Sequence, residues 1–78
     1  MTLSEFQAIC AESNMRTGSD TTSYSLEHGQ YFLTAHWMSG FAHVLLNNNN
    51  GHGISSRCML STQEQLTTAL LDAVEEMK

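Results

Sequence analysis

The histidines are the side chains in this sequence with the clearest potential for chemistry. His36 and His43 flank a Ser39-Gly40 pair. If that pair forms a two-residue hairpin turn, the two imidazoles face each other on adjacent strands, within reach of one metal ion. Zinc needs more ligands than these two, and the spacing of His52 or Cys58 does not supply them. We therefore expect no metal ion and no cofactor.

The sequence gives equally little support for nucleophilic catalysis. The sequence contains no G-x-S-x-G, no phosphate-binding loop, no H-E-x-x-H and no paired carboxylates on one rigid element. Cys58 beside a histidine is the remaining arrangement to consider, but a chain of 78 residues has little room for a pocket that excludes water. Cys10 lies on an apolar stripe, which predicts a core position. We expect a protein that is not an enzyme.

Charge and length narrow the class of partner. The sequence has eight Asp and Glu residues and three Lys and Arg residues, which gives a formal net charge of -5. This charge argues against direct binding to nucleic-acid phosphates. No apolar run is long enough to span a bilayer, and the N-terminus lacks the basic start of a signal peptide. We expect one domain over residues 1–78, located in the cytoplasm.

Helical periodicity is clear at both ends of the chain. Ser4 and Gln7 have the spacing of a capping box, and the apolar spacing that follows predicts a helix over about residues 3 to 15. Residues 16 to 22 are predicted to form a loop. Ser61 and Glu64 form a second such box before a C-terminal helix, whose apolar positions are Leu66, Leu70, Val74 and Met77.

The middle of the chain predicts three strands in two tight hairpins, broken at His28-Gly29 and Ser39-Gly40. A longer connection at residues 47 to 53, NNNNGHG, precedes a possible fourth strand at residues 54 to 60. The predicted fold is α+β with the order α-β-β-β-(β)-α, a three- or four-stranded antiparallel sheet with two helices packed on one face. Side-chain alternation assigns one face of the sheet to the core: Tyr24, Leu26, Tyr31, Leu33, Ala35, Trp37, Ala42, Val44 and Leu46.

The opposite face is the main candidate for function. With only two helices to cover the sheet, this face should remain open to solvent, and an apolar patch with a polar rim usually marks an interaction site. We predict that partners bind there, at Phe32, His36, Met38, Phe41, His43 and Leu45. The alternatives are that the patch is a homodimer interface, or that the Asn-rich loop covers it.

Acidic residues on the last helix form a second candidate surface. They are Glu64, Asp72, Glu75 and Glu76. One interpretation of these acids is a solvated helix face that keeps the protein soluble. The alternative is local contact with a basic groove on a partner. Eight acids in 78 residues are too few to imitate the charge density of a nucleic-acid duplex.

In its layout the chain resembles the small inhibitors that phages and mobile elements carry against host defences, of which the anti-CRISPR proteins are the best-known group. The resemblance lies in small size, acidity, a capped first helix, a short antiparallel meander and the capped helix STQEQLTTALLDAVEEM. It implies stoichiometric inhibition of a host protein or ribonucleoprotein complex. An immunity or antitoxin-like protein that neutralises a toxin, and a self-associating accessory subunit, are the alternatives.

Overall fold

The computed structural model describes residues 1–18 and 20–78 and places them in two helices and an antiparallel sheet. The α+β class, with two helices on one face of an antiparallel sheet, is confirmed. The elements in chain order are α1 Leu3–Glu12, β1 Arg16–Thr17, β2 Ser23–His28, β3 Tyr31–Met38, β4 Phe41–Asn48, β5 Gly53–Leu60 and α2 Gln63–Glu76.

The sheet is a meander of five strands in the order β1-β2-β3-β4-β5, so every strand neighbours the next along the chain. The predicted fourth strand is present as β5. β1 was not predicted, because residues 16 to 22 have the composition of a loop: Arg16 and Thr17 pair with Ser25 and Tyr24 at the edge of the sheet. A strand of two residues is too short for an alternating pattern, so sequence periodicity could not reveal it.

The hairpin between β3 and β4 has the predicted turn. Met38 pairs with Phe41 and His36 pairs with His43, as expected for a two-residue turn at Ser39 and Gly40. Both turn residues have positive φ, 51° and 91°, which is the requirement of a type I′ turn.

The predicted turn of the first hairpin was wrong. Its turn residues are Gly29 and Gln30, not His28 and Gly29, because His28 pairs with Tyr31. Gly29 has a φ of 59°, and glycine at the first turn position is the pattern of a type II′ turn, whereas the predicted turn would start with positive φ at a histidine. The register moves by two residues, so each side chain keeps its predicted face.

The Asn-rich connection is shorter than predicted, since β4 extends through Asn48 and β5 begins at Gly53. The Asn48 side chain organises the remaining turn: its Oδ1 accepts hydrogen bonds from the backbone N–H groups of Asn50 and His52, both at 3.0 Å. Asparagine is favoured here because its short side chain can replace a backbone acceptor in a turn. The Asn49 N–H donates to the Gln30 carbonyl at 2.8 Å and ties this turn to the first hairpin.

Both predicted helix caps were wrong by one or two residues. The N-cap of α1 is Thr2 with Glu5 as its reciprocal partner, not Ser4 with Gln7. The N-cap of α2 is Thr62 with Gln65, not Ser61 with Glu64. The predicted C-terminal end of α1 was also late: the helix ends at Glu12, and Asn14 then has a positive φ of 62° that reverses the chain.

The core lies between the two helices and one sheet face. Phe6 of α1, Leu66 and Leu70 of α2, and Leu33 and Leu46 of the sheet are each at most 1% exposed. The predicted core face is confirmed, with its remaining members either buried or packed against this cluster. The Trp37 indole lies at the edge of the core, where its Nε1–H donates to the Met1 carbonyl at 3.2 Å.

Candidate interaction surface

The open face is defined here as the sheet surface opposite the helices, centred on Phe32, His36, Met38, Phe41, His43 and Leu45. Among the described residues, both helices pack into the core cluster on the other side, and none of these six side chains belongs to that cluster. Met38 is 68% exposed, and His36 is also exposed. Phe32, Phe41, His43 and Leu45 are partly buried.

Strand register brings the six side chains together as the sequence predicted. His36 lies opposite His43, Met38 lies opposite Phe41, and Leu45 lies opposite Thr34. Cross-strand partners have Cβ atoms about 4.5–5.5 Å apart. Neighbouring side chains therefore bury part of each other's surface, and the remaining surface faces solvent. The result is a sheet face on which Met38 and Phe41 lie on one side of the His36–His43 pair, and Leu45 and Phe32 lie on the other.

The Asn-rich turn borders this patch instead of covering it. Phe32 and Glu27 form one wall of an open depression of about 350 Å³, and the turn residues Asn49 and Gly51 form the other. A similar depression of about 300 Å³ lies between Leu45 and Ile54. The turn therefore makes one end of the open face concave.

Asp20 lies near the other end of the open face, a position that sequence analysis missed. The Thr22 hydroxyl and backbone N–H donate to Asp20 Oδ1 at 2.6 and 2.9 Å. These hydrogen bonds lower the pKa of the Asp20 carboxyl, and the charge of the nearby His36 lowers it further. The D-x-T spacing was a local signal for this turn, but only the fold brings it beside His36.

No family model matches the chain, and neither a curated protein nor a solved structure matches it. The geometry gives two further observations about the described residues. They include no group of three or more His, Cys, Asp and Glu side chains placed to hold a metal ion. They also include no helix long and apolar enough to cross a membrane.

The four predicted acids on α2 do not act as one group. Glu64 and Asp72 line a groove of about 440 Å³ between α2 and β5, and Asp72 faces Arg57 of β5 at 3.8 Å. Glu76 continues this side of the helix and accepts a hydrogen bond from the Ser55 hydroxyl at 3.0 Å. Glu75 instead pairs with Lys78 at 3.3 Å.

Hydrogen bonds in turns and caps account for the carboxyl pKa shifts. A hydrogen bond from the Thr2 backbone N–H lowers the pKa of Glu5, as expected for the acidic member of a capping box. Asp20 is held by Thr22 in the same way. Catalytic acids and bases usually have pKa values perturbed by burial or by a charged neighbour in a cleft. In these two carboxyls the largest effect is a local hydrogen bond that stabilises the charged form.

Proposed function

We propose that this chain is a small binding protein without catalytic activity, which uses the open face to hold another macromolecule. The observation that carries the proposal is the placement of Phe32, Phe41, Leu45 and Met38 on a sheet surface outside the core cluster. An apolar patch surrounded by polar groups is the common anatomy of protein interfaces. The two imidazoles within the patch add hydrogen-bonding groups that favour a specific partner over general adhesion.

The partner class we favour is a host protein or ribonucleoprotein complex of a defence system, blocked by stoichiometric binding. Small size, acidity and the helix–meander–helix layout support this proposal through the resemblance to anti-CRISPR proteins. A net charge of -5 favours contact with a basic protein surface over contact with nucleic acid. An inhibitor of this kind acts by occupying a surface that the host complex needs.

Capture of the partner tests the proposal directly. The chain, tagged at its C-terminus, is used to purify bound proteins from bacterial extracts containing defence complexes, with mass spectrometry and light scattering as readouts. We expect a stoichiometric complex with a nuclease or surveillance complex, and inhibition of its cleavage activity by the purified chain. The double variant Phe32→Ser/Phe41→Ser should lose binding by at least about tenfold, since central apolar contacts dominate interface energy.

The matched control is Leu71→Ser, which removes an apolar side chain that is 65% exposed on α2, away from the open face. It should bind as the unchanged chain does. A dimer that the Phe32→Ser/Phe41→Ser variant breaks would mean that the open face is a self-interface, and the inhibitor proposal would be wrong. Capture of a toxin with loss of its toxicity would favour the immunity-protein alternative.

A further inference from the structure

The outer edge of β5 is the longest strand edge that remains unpaired among the described residues. β5 runs over Gly53–Leu60 and pairs with β4 on one side only, at the end of the sheet. On an edge strand, alternate residues direct their backbone N–H and C=O groups outward, and these groups form a template for another strand. The opposite edge is shorter: β1 covers Arg16–Thr17, and residues 26 to 28 of β2 extend beyond it.

The central part of β5 carries few of the features that discourage strand addition. Arg57 is its only charged residue, and Ile54 and Met59 are 45% and 59% exposed. Proline is absent from the whole sequence. Bulges interrupt the pairing with β4 near both ends of β5, but residues 55 to 57 pair in regular register with β4. Natural edges are usually protected by charges, proline, β-bulges or a covering segment; on β5 the bulges leave residues 55 to 57 as the regular part of the edge.

α2 runs antiparallel to β5 and presents acids along this edge. Near its end Glu76 binds Ser55, near its middle Asp72 faces Arg57, and near its start Glu64 lines the groove with Leu60. Their contacts with Ser55 and Arg57, and the groove shared with Leu60, place the three acids on the side of α2 that faces β5. They outnumber the single guanidinium of Arg57 and leave this edge with an excess of negative charge.

We propose that the β5 edge binds an extended, basic segment of a partner protein as an added strand. Backbone hydrogen bonds to β5 would hold the segment in register. Its alternate side chains, lysine or arginine, would point toward Glu64, Asp72 and Glu76. The side chains between them would extend the open face beyond Ser56, which lies opposite Leu45. The inference gives a chemistry for a partner, so it rests on the proposal that this chain is a binding protein.

The dimensions of strand and helix fit this arrangement. Alternate residues of a strand are about 6.8 Å apart, and helix positions four residues apart are separated by about 6 Å along the axis. An added strand lies about 4.8 Å from β5. Arg57, within β5 itself, already brings a guanidinium to 3.8 Å from Asp72, so long basic side chains one strand further out can reach the same helix side.

Charge also selects a basic partner over a second copy of this chain. Pairing of two β5 edges about a twofold axis would bring two α2 helices, each with Glu64, Asp72 and Glu76, onto the same face of the joined sheet. Like charges at such a junction oppose association, and each chain carries a formal net charge of -5. A basic strand converts the same carboxylates into favourable contacts.

A synthetic peptide tests the inference. The isotope-labelled full chain is titrated with an eight-residue peptide of alternating lysine and valine and followed by nuclear magnetic resonance. We expect amide shifts concentrated in Gly53–Leu60 and Gln63–Glu76, with slower hydrogen exchange at alternate β5 amides. Glu64→Gln/Glu76→Gln keeps the Arg57–Asp72 pair and should weaken binding about fivefold, since exposed charge pairs contribute modestly.

The matched control variant is Glu12→Gln/Glu75→Gln, which makes the same change in net charge outside the groove and should change affinity less than twofold. A peptide with the same lysines and valines in two blocks should bind at least about fivefold more weakly. Equal affinity for both peptides, equal loss in both variants, or a dimer joined through β5 would each overturn the inference. Phe32→Ser/Phe41→Ser should retain peptide binding, so failure at β5 is distinguishable from failure of the open face.

Discussion

Cys10 and Cys58 show how burial alone separates two identical side chains. Cys10 is fully buried in the core, where burial raises the pKa of its thiol to about 12, while Cys58 is exposed on β5. The raised pKa arises because the core solvates a thiolate poorly. The apolar stripe of the first helix predicted the core position of Cys10, and the structure confirms it. That prediction needed only the spacing of Phe6, Ile9 and Cys10.

The Cys10 thiol should make the protein less stable in alkali. The folded state holds the thiol proton up to a pKa of about 12, whereas the unfolded chain releases it near the ordinary value of 9.0. Above that ordinary value the unfolded state binds fewer protons, so the free energy of unfolding falls as pH rises toward about 12. Urea denaturation between neutral pH and pH of about 10.5 measures this slope.

The control is Cys10→Ala, which removes the titrating group and should flatten this part of the pH profile. Its stability at neutral pH should fall by about 1–2 kcal/mol, because a small buried side chain is shortened. An unchanged alkaline slope in Cys10→Ala would contradict the assignment.

At the scale of elements, the existence of both helices was predictable but their first residues were not. The sequence TLSEFQ contains two overlapping cap patterns, Thr2 with Glu5 and Ser4 with Gln7. Both satisfy the same local chemistry. The structure begins the helix at Leu3, with Thr2 as N-cap, and Glu5 lies in the first turn where the helix dipole favours a carboxylate. Local sequence alone could not choose between them.

The two overlapping patterns can be separated by substitution. Thr2→Ala should lower the free energy of unfolding by about 1 kcal/mol, because it removes the acceptor for the Glu5 backbone N–H. Ser4→Ala should change it by less than about 0.5 kcal/mol, since Ser4 is exposed within the helix. Chemical denaturation of both variants at neutral pH gives the comparison. If Ser4→Ala lowered the free energy of unfolding more than Thr2→Ala does, Ser4 would be the N-cap, as the sequence predicted.

The two hairpins show that the face of a side chain can be predicted even where its cross-strand partner is not. The Ser39-Gly40 turn was predicted correctly, while the first turn was displaced by one residue to Gly29 and Gln30. Since a shift of one turn position changes the pairing by two residues, the faces of β2 and β3 were still assigned correctly. Side-chain alternation therefore predicted the two surfaces even where the pairing was wrong.

At the scale of the whole molecule, the two faces of one strand have opposite roles. Leu33 is fully buried beneath the helices, and its neighbour Phe32 is partly exposed on the open face beside the Asn-rich turn. The core face stabilises the fold, and the open face is the one we propose for binding. Substitutions at adjacent positions should therefore separate stability from binding.

Leu33→Ala should lower the free energy of unfolding by about 2–5 kcal/mol, as expected for a fully buried leucine. Phe32→Ser should lower it by less, about 1–2 kcal/mol, because Phe32 is only partly buried and lies outside the core cluster. Thermal and urea denaturation measure both values. A loss in Phe32→Ser as large as that in Leu33→Ala would show that Phe32 belongs to the core, and would remove the basis for the open face.

The sequence by itself determined the α+β class, the two helices, the central strands and which residues face the core, because these follow from the periods of apolar side chains. Tertiary structure decided the rest. It selected Thr2 and Thr62 as caps, added β1, and left β5 at an open edge with Glu64, Asp72 and Glu76 along it. Those features depend on how distant segments meet, which local periodicity does not encode.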